Sequence, residues 1–131
     1  KGAGSENMSQ IRMMLPSEIS KIPEFVTSVV KDAGSRPCPP IVVGVGIGGT
    51  FDSAASFAKE ALLSPINSMT SFEQEICDSI NQLGIGVMGL GGDTTCLAVK
   101  VKEGACHTAS LPVAVNIQCW CSRRGVVEVE L

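Results

Sequence analysis

The segment Arg36-Pro37-Cys38-Pro39-Pro40-Ile41-Val42-Val43-Gly44-Val45-Gly46-Ile47-Gly48-Gly49-Thr50 constrains the fold more than any other part of the chain. Proline lacks a backbone N–H and fixes φ, and it pushes the residue before it out of the helical region. Cys38 therefore precedes a stiff extended stretch and presents its thiol rigidly. Ile41 to Val45 is β-branched apart from Gly44, shows no polar alternation and is shorter than an ordinary helix. It reads as a strand buried on both faces, with chemistry expected at its ends.

The remaining elements follow from periodicity and punctuation. Met8 to Leu15 reads as a strand, broken by Pro16-Ser17-Glu18. Ile19, Ile22, Val26, Val29 and Val30 recur at helical spacing, so a helix is expected from Ser17 to Ala33, with Pro23 marking a break or restart and Gly34 a stop. Thr50 or Asp52 can cap a second helix from Ser53 to about Leu63, whose alanine-rich face suits close packing on the strand. Thr70 or Ser71 with Glu73 or Gln74 gives a helix-start signal, and Phe72, Ile76, Ile80 and Leu83 line one face of a third helix. The glycine-rich stretch Gly84 to Asp93 must be a loop that approaches something closely. Thr95 to Lys102 alternates Leu97, Val99 and Val101 against Ala98, Lys100 and Lys102, which predicts a half-exposed strand. Pro112 to Gln118 and Val126 to Leu131 are expected as two more. The fold class is α/β, with α+β the alternative: a mixed sheet flanked by helices in a single domain over residues 1–131.

Charge and composition exclude several functions. A net charge of −3 with scattered lysines and arginines offers no basic stripe for phosphates, so nucleic acid is not an expected partner. No apolar run approaches the ~20 residues of a spanning helix and no signal-peptide pattern opens the chain, so no membrane is expected and the protein reads as intracellular. The 44% apolar content argues for a core that needs no disulfide staples despite six cysteines. No C-x-x-C pair exists, and Cys77 and Cys96 read as small buried hydrophobes. The chain lacks an initiator methionine and its last alternating segment stops abruptly, so a piece of a longer protein is expected.

Gly44, Gly46 and Gly49 spell G-x-G-x-x-G between strand and helix, but no second strand with an acidic end follows at the dinucleotide-binding distance. What survives is either an anion preference of glycine amides at a helix start or a turn needed for packing alone. His107, the only histidine, lies in a small-residue segment between two strands. Cys119 closes a strand before Trp120 and the pair Arg123-Arg124, where a thiolate or a buried thiol are both open readings.

Four stretches together form a rarer set: Lys1 to Asn7 (KGAGSEN), Cys38 to Thr50 (CPPIVVGVGIGGT), Leu83 to Gly86 (LGIG) and Leu111 to Cys119 (LPVAVNIQC). The set resembles the iron-sulfur, class I fumarate hydratases, in the second half of their alpha region, and the similarity runs over nearly the whole chain. The related L-tartrate dehydratases share the Cys-Pro-Pro segment and resemble Cys119-Trp120 and Arg123-Arg124-Gly125. The resemblance implies a [4Fe-4S] cluster held by three cysteines with one iron open. Cys38 and Cys119 fall on two of those positions, and the third lies upstream of Lys1. It also implies that His107 and Gly2 contact a small dicarboxylate substrate, and that the general base lies upstream or in a beta region or beta subunit. A cytoplasmic, oligomeric enzyme is the corresponding expectation. Val87-Met88, Asp93 and Cys106 depart from the usual residues near the site.

The resulting expectation is an iron-sulfur hydro-lyase that hydrates fumarate to malate, with Cys38, Cys119, the glycine-rich loop and His107 meeting at one place. L-tartrate dehydration is the alternative within the enzyme class. A non-catalytic anion-binding or scaffold module is the alternative outside it. Cys121 or Cys106 could substitute for the missing ligand, although relatives do without a cysteine at either position.

Overall fold

The computed structural model describes residues 1–121 and 124–131. The chain runs through α1 (Ala3–Glu6), β1 (Gln10–Met14), a 3-10 turn (Pro16–Lys21), α2 (Ile22–Ala33), β2 (Ile41–Ile47), α3 (Phe51–Ala61), α4 (Ser71–Asn81), a short 3-10 turn (Val87–Gly89), β3 (Cys96–Glu103) and β4 (Leu111–Gln118). The strands form one mixed sheet in the order β1-β4-β2-β3. β2 is parallel to β3 and antiparallel to β4, which in turn is antiparallel to β1. This is the α/β arrangement expected from the sequence.

Strand alternation decides which helices cover which face. Val43, Val45 and Ile47 of β2 join Val113, Val115 and Ile117 of β4 in a core with Phe25, Val26, Val29 and Val30 of α2 and Ile76 and Ile80 of α4. The opposite face of β2 carries Gly44 and Gly46, which leave room for α3. A Cβ on Gly44 would lie 2.1 Å from the Ala58 carbonyl oxygen, and one on Gly46 2.0 Å from that of Ala54. The glycines and the buried Ala54, Ala58 and Ala61 are thus two halves of one close contact. β2 is buried along its whole length because helices lie on both of its faces.

Pro23 stands in the first turn of α2, where its missing N–H costs nothing, and the preceding 3-10 turn absorbs the rest of the predicted long helix. At α4 the Thr70 hydroxyl accepts from the Glu73 N–H at 3.2 Å, and Glu73 Oε2 accepts from the Thr70 N–H at 2.8 Å. Glu73 also reaches β3, accepting from the Val101 N–H at 2.8 Å and from Lys100 Nζ at 3.0 Å. One side chain therefore caps a helix and occupies a donor of the edge strand.

Two expectations are corrected. In β3 the register slips between the Ile41–Cys96 and Val42–Ala98 pairs, so Leu97 is an extra residue. Leu97 is left 44% exposed while Ala98 is buried, which reverses the alternation read from the sequence. Val126 to Leu131 form no strand among the described residues and stay exposed. Among the described residues no helix is long and apolar enough to cross a membrane.

Candidate functional site

Cys38 sits at the entrance of β2 in a left-handed backbone conformation, with φ at 55°. The turn that holds it begins where α2 ends: the Cys38 N–H donates to the Ser35 carbonyl at 3.0 Å. The glycine-rich loop folds onto the same turn, and its Met88 N–H donates to the Pro39 carbonyl at 2.7 Å. That loop is itself braced. Asn81 Oδ1 accepts from the Thr95 and Cys96 N–H groups at 2.8 Å each, and Thr95 Oγ1 accepts from the Gly86 N–H at 3.0 Å. The expected close approach of the glycine loop is thus to the cysteine turn.

Cys119 follows the last residue of β4. Because β4 runs antiparallel to β2, with Gln118 opposite Val42, it returns to the same end of the sheet as Cys38. The Trp120 N–H donates to the Cys38 carbonyl at 3.4 Å. Cys119 is only 7% exposed, and its sulfur lies 3.2 Å from that of Cys121. Burial pushes the Cys119 thiol up, but the Cys121 sulfhydryl and backbone, followed by the Ser5 hydroxyl, outweigh it and leave the pKa below the ordinary thiol value.

Gly2 completes this end of the molecule. A Cβ there would fall 3.0 Å from the Cys119 sulfur and 3.1 Å from Ser5 Oγ, so any larger residue would press on the thiol. The loop is fixed through Glu6, which pairs with Lys1 at 2.9 Å and Lys59 at 2.8 Å and accepts from Asn116 Nδ2 at 3.0 Å. The Lys59 hydrogen bond, ahead of those from Asn116 and Lys1, holds the Glu6 carboxyl down at about 2 against the cost of burial. A cavity of about 430 Å³ opens here, lined by Gly2, Gln118, Cys121 and the cations Lys1, Lys59 and Arg124. Arg124 is tied into its wall, donating to the Ser64 carbonyl at 2.8 Å and to that of Leu62.

His107 is not brought to this place. Its loop joins β3 to β4 at the far end of β2, where the Gly104 N–H donates to the Ile47 carbonyl at 2.9 Å. The length of β2 separates it from Cys38, roughly 20 Å for seven residues at strand rise. His107 is exposed, and its Nδ1 accepts from the Ala109 N–H at 3.0 Å. Expecting it beside the cysteines overlooked that β3 runs away from them and β4 has to return the full length of β2, which leaves the loop between the two strands at the opposite end.

The glycine turn after β2 lies at that same far end, and its amides are already engaged. Gly48 donates to the Pro112 carbonyl at 2.9 Å and Gly49 to that of Ala105 at 3.1 Å. Thr50 donates to Ser53 Oγ at 2.6 Å. Packing alone accounts for this turn, and the anion-cradle alternative loses its donors.

Sequence reasoning missed Ser5, Glu6 and Asn116 as the frame around Cys119. The signal was present in Ser5-Glu6-Asn7, polar residues after the small Gly2-Ala3-Gly4, but nothing local showed that Glu6 would meet Asn116. The thiols suit iron, being soft ligands with one held toward the thiolate. Among the described residues no group of three or more His, Cys, Asp or Glu side chains could hold a metal ion. Cys38 and Cys119 thus share one end of the sheet, and among the described residues no third donor completes a metal-holding group with them.

A family model described as fumarate hydratase (Fumerase) matches residues 1–128. The chain belongs to the fumarate hydratase family. It is 51% identical to a Methanocaldococcus jannaschii protein provisionally named L(+)-tartrate dehydratase subunit alpha, over 100% of this chain and 48% of the relative. It is 32% identical to the L(+)-tartrate dehydratase subunit alpha of Escherichia coli K12, over 98% of this chain and 45% of that one, and the Shigella sonnei protein gives the same values. The chain spans about half the length of these relatives.

Proposed function

We propose that this chain is the cluster-binding portion of an iron-sulfur hydro-lyase that adds or removes water on a four-carbon dicarboxylate. The carrying observation is that Cys38 and Cys119 meet at one end of the sheet, backbone to backbone, beside the Gly2 loop. They supply two of the three thiolates for a [4Fe-4S] cluster, and a third comes from outside this chain. When bound, the cluster supplies a Lewis-acidic iron for the substrate's hydroxyl and carboxylate.

The chain's own residues then do the following. Gly2 leaves the backbone bare next to Cys119, so a small carboxylate can approach. Lys1, Lys59 and Arg124 give the adjoining cavity a cationic lining suited to it. His107 hydrogen-bonds a substrate carboxylate or hydroxyl, and from its position it does so in a site that another chain completes. The general base comes from an upstream segment or from a beta partner.

L-tartrate dehydration to oxaloacetate is favoured by the names of the relatives, which are tartrate dehydratase alpha subunits. Fumarate hydration to malate is favoured by the description of the family. The test is anaerobic reconstitution of the full-length protein with its beta partner, using iron and sulfide, followed by kcat/KM for both substrates. Turnover with a four-iron cluster that Cys38→Ser and Cys119→Ser each abolish supports the reading, and the larger kcat/KM assigns the substrate. A folded protein that takes up no iron and turns over neither compound supports a binding or scaffold module instead.

A further inference from the structure

The sulfurs of Cys119 and Cys121 are 3.2 Å apart across one intervening residue, the 56%-exposed Trp120. They differ in access: Cys121 is exposed and Cys119 is buried. A disulfide bond is about 2.05 Å long, so the pair needs to close by only about 1 Å. Cys121 belongs to the turn after β4 and not to the ladder, so closing the gap breaks no strand pairing. Elsewhere the requirements are not met together. Cys77 and Cys96 lie near each other but are both 2% exposed, and Cys106 is exposed but lies on the loop at the other end of the sheet.

We propose that Cys119 and Cys121 are an oxidisable dithiol, closed by a low-molecular-weight disulfide, and that closure withdraws Cys119 from metal binding. The second half rests on the reading of Cys119 as a cluster ligand; the first does not. The sulfur of Cys121, being accessible, attacks the small disulfide, forming a mixed disulfide and releasing one small thiol. The sulfur of Cys119 then attacks that of Cys121, forming the internal bond and expelling the second small thiol. The protein loses two protons and two electrons, and the small disulfide is reduced by the same amount. A thiol reductant reverses both steps. An iron-free chain in an oxidising pool would thus store Cys119 in a form that cannot be overoxidised, until reduction returns it.

The test uses the iron-free full-length protein, treated with oxidised glutathione, alkylated with iodoacetamide and digested. In the peptide holding both residues, an internal disulfide leaves Cys119 and Cys121 unalkylated, without glutathione and two hydrogen masses lighter. Anaerobic iron and sulfide uptake should then be several-fold lower than in reduced protein and return after dithiothreitol. Cys121→Ser should keep its iron uptake through the same oxidant treatment, and Cys106→Ser should behave as the parent. Alkylation of both residues after oxidation, or glutathione retained on Cys121, overturns the dithiol. An internal disulfide with undiminished iron uptake overturns the withdrawal and, with it, the ligand role of Cys119.

Discussion

The Trp120 N–H reaches the Cys38 carbonyl oxygen at 3.4 Å, tying the residue after one thiol to the backbone of the other. The contact follows from topology. β4 returns antiparallel along β2, so the exit of one strand meets the entrance of the other. Glu6, through Asn116 and Lys59, then sets the Gly2 loop against the same corner.

Glu73 should be the costliest single polar side chain to remove from this fold. Its burial is offset by the Thr70 and Val101 N–H groups and by Lys100, which together keep its pKa below the ordinary value. Glu73→Ala removes the carboxylate partner of Lys100, at 12% side-chain exposure, leaving it the Ser68 carbonyl at 2.8 Å, and orphans two backbone donors. A loss of roughly 3–5 kcal/mol is expected, as for breaking a buried ion pair. Urea unfolding of the full-length protein checks it, and Glu73→Gln, which keeps an acceptor, should lose clearly less.

Glu6 predicts an acid-sensitive corner. Its folded pKa, about 2, lies below its ordinary 4.5, so its contribution to stability is fully present above about 4.5 and is lost as the pH falls toward 2. Its side chain is 41% exposed, so solvent screening keeps the effect modest. Melting temperature measured from pH 6 to about pH 3 should fall less steeply in Glu6→Gln than in the parent, from a lower starting value. Parallel curves would show that Glu6 does not drive the loss.

What was legible in the sequence was whatever depends on neighbours a few residues away. Thr70 with Glu73 announced a capped helix, Pro23 a restart, and the alanine-rich helix face a close contact with the strand, of which Gly44 and Gly46 are the other half. Leu97 was misread because a bulge depends on the partner strand, which periodicity does not see. Val126 to Leu131 alternate as a strand should, yet alternation provides no neighbour to pair with. His107 shows the same limit at the site, since its distance from Cys38 follows from strand direction. Arg123 of the basic pair lies outside the described residues.

His107→Asn should leave stability unchanged, because the side chain is exposed and its bond from the Ala109 N–H is local. If it serves substrate, kcat/KM in the assembled enzyme should fall by about 10²-fold or more, within the range usual for a positioned polar group. Unchanged kinetics with a lowered melting temperature would assign it to the fold.

Cys38 offers a way to separate strain from function. Among the described residues only Cys38 and Met88 are non-glycine residues with positive φ. For an L-residue that conformation costs roughly 1–2 kcal/mol because the Cβ crowds the backbone, and such strain gathers where a side chain must be aimed. Cys38→Ala removes the thiol and keeps the strain. Cys38→Gly removes both, although glycine gives back roughly 0.5–1 kcal/mol through the freedom of the unfolded chain. Cys38→Gly should therefore be more stable than Cys38→Ala by up to about 1 kcal/mol, while both lose iron uptake to the same extent. A Cys38→Gly variant less stable than Cys38→Ala by about 0.5–1 kcal/mol would mean that the turn carries no strain to release. A variant that still bound a full complement of iron would remove Cys38 from the ligand set whatever its stability.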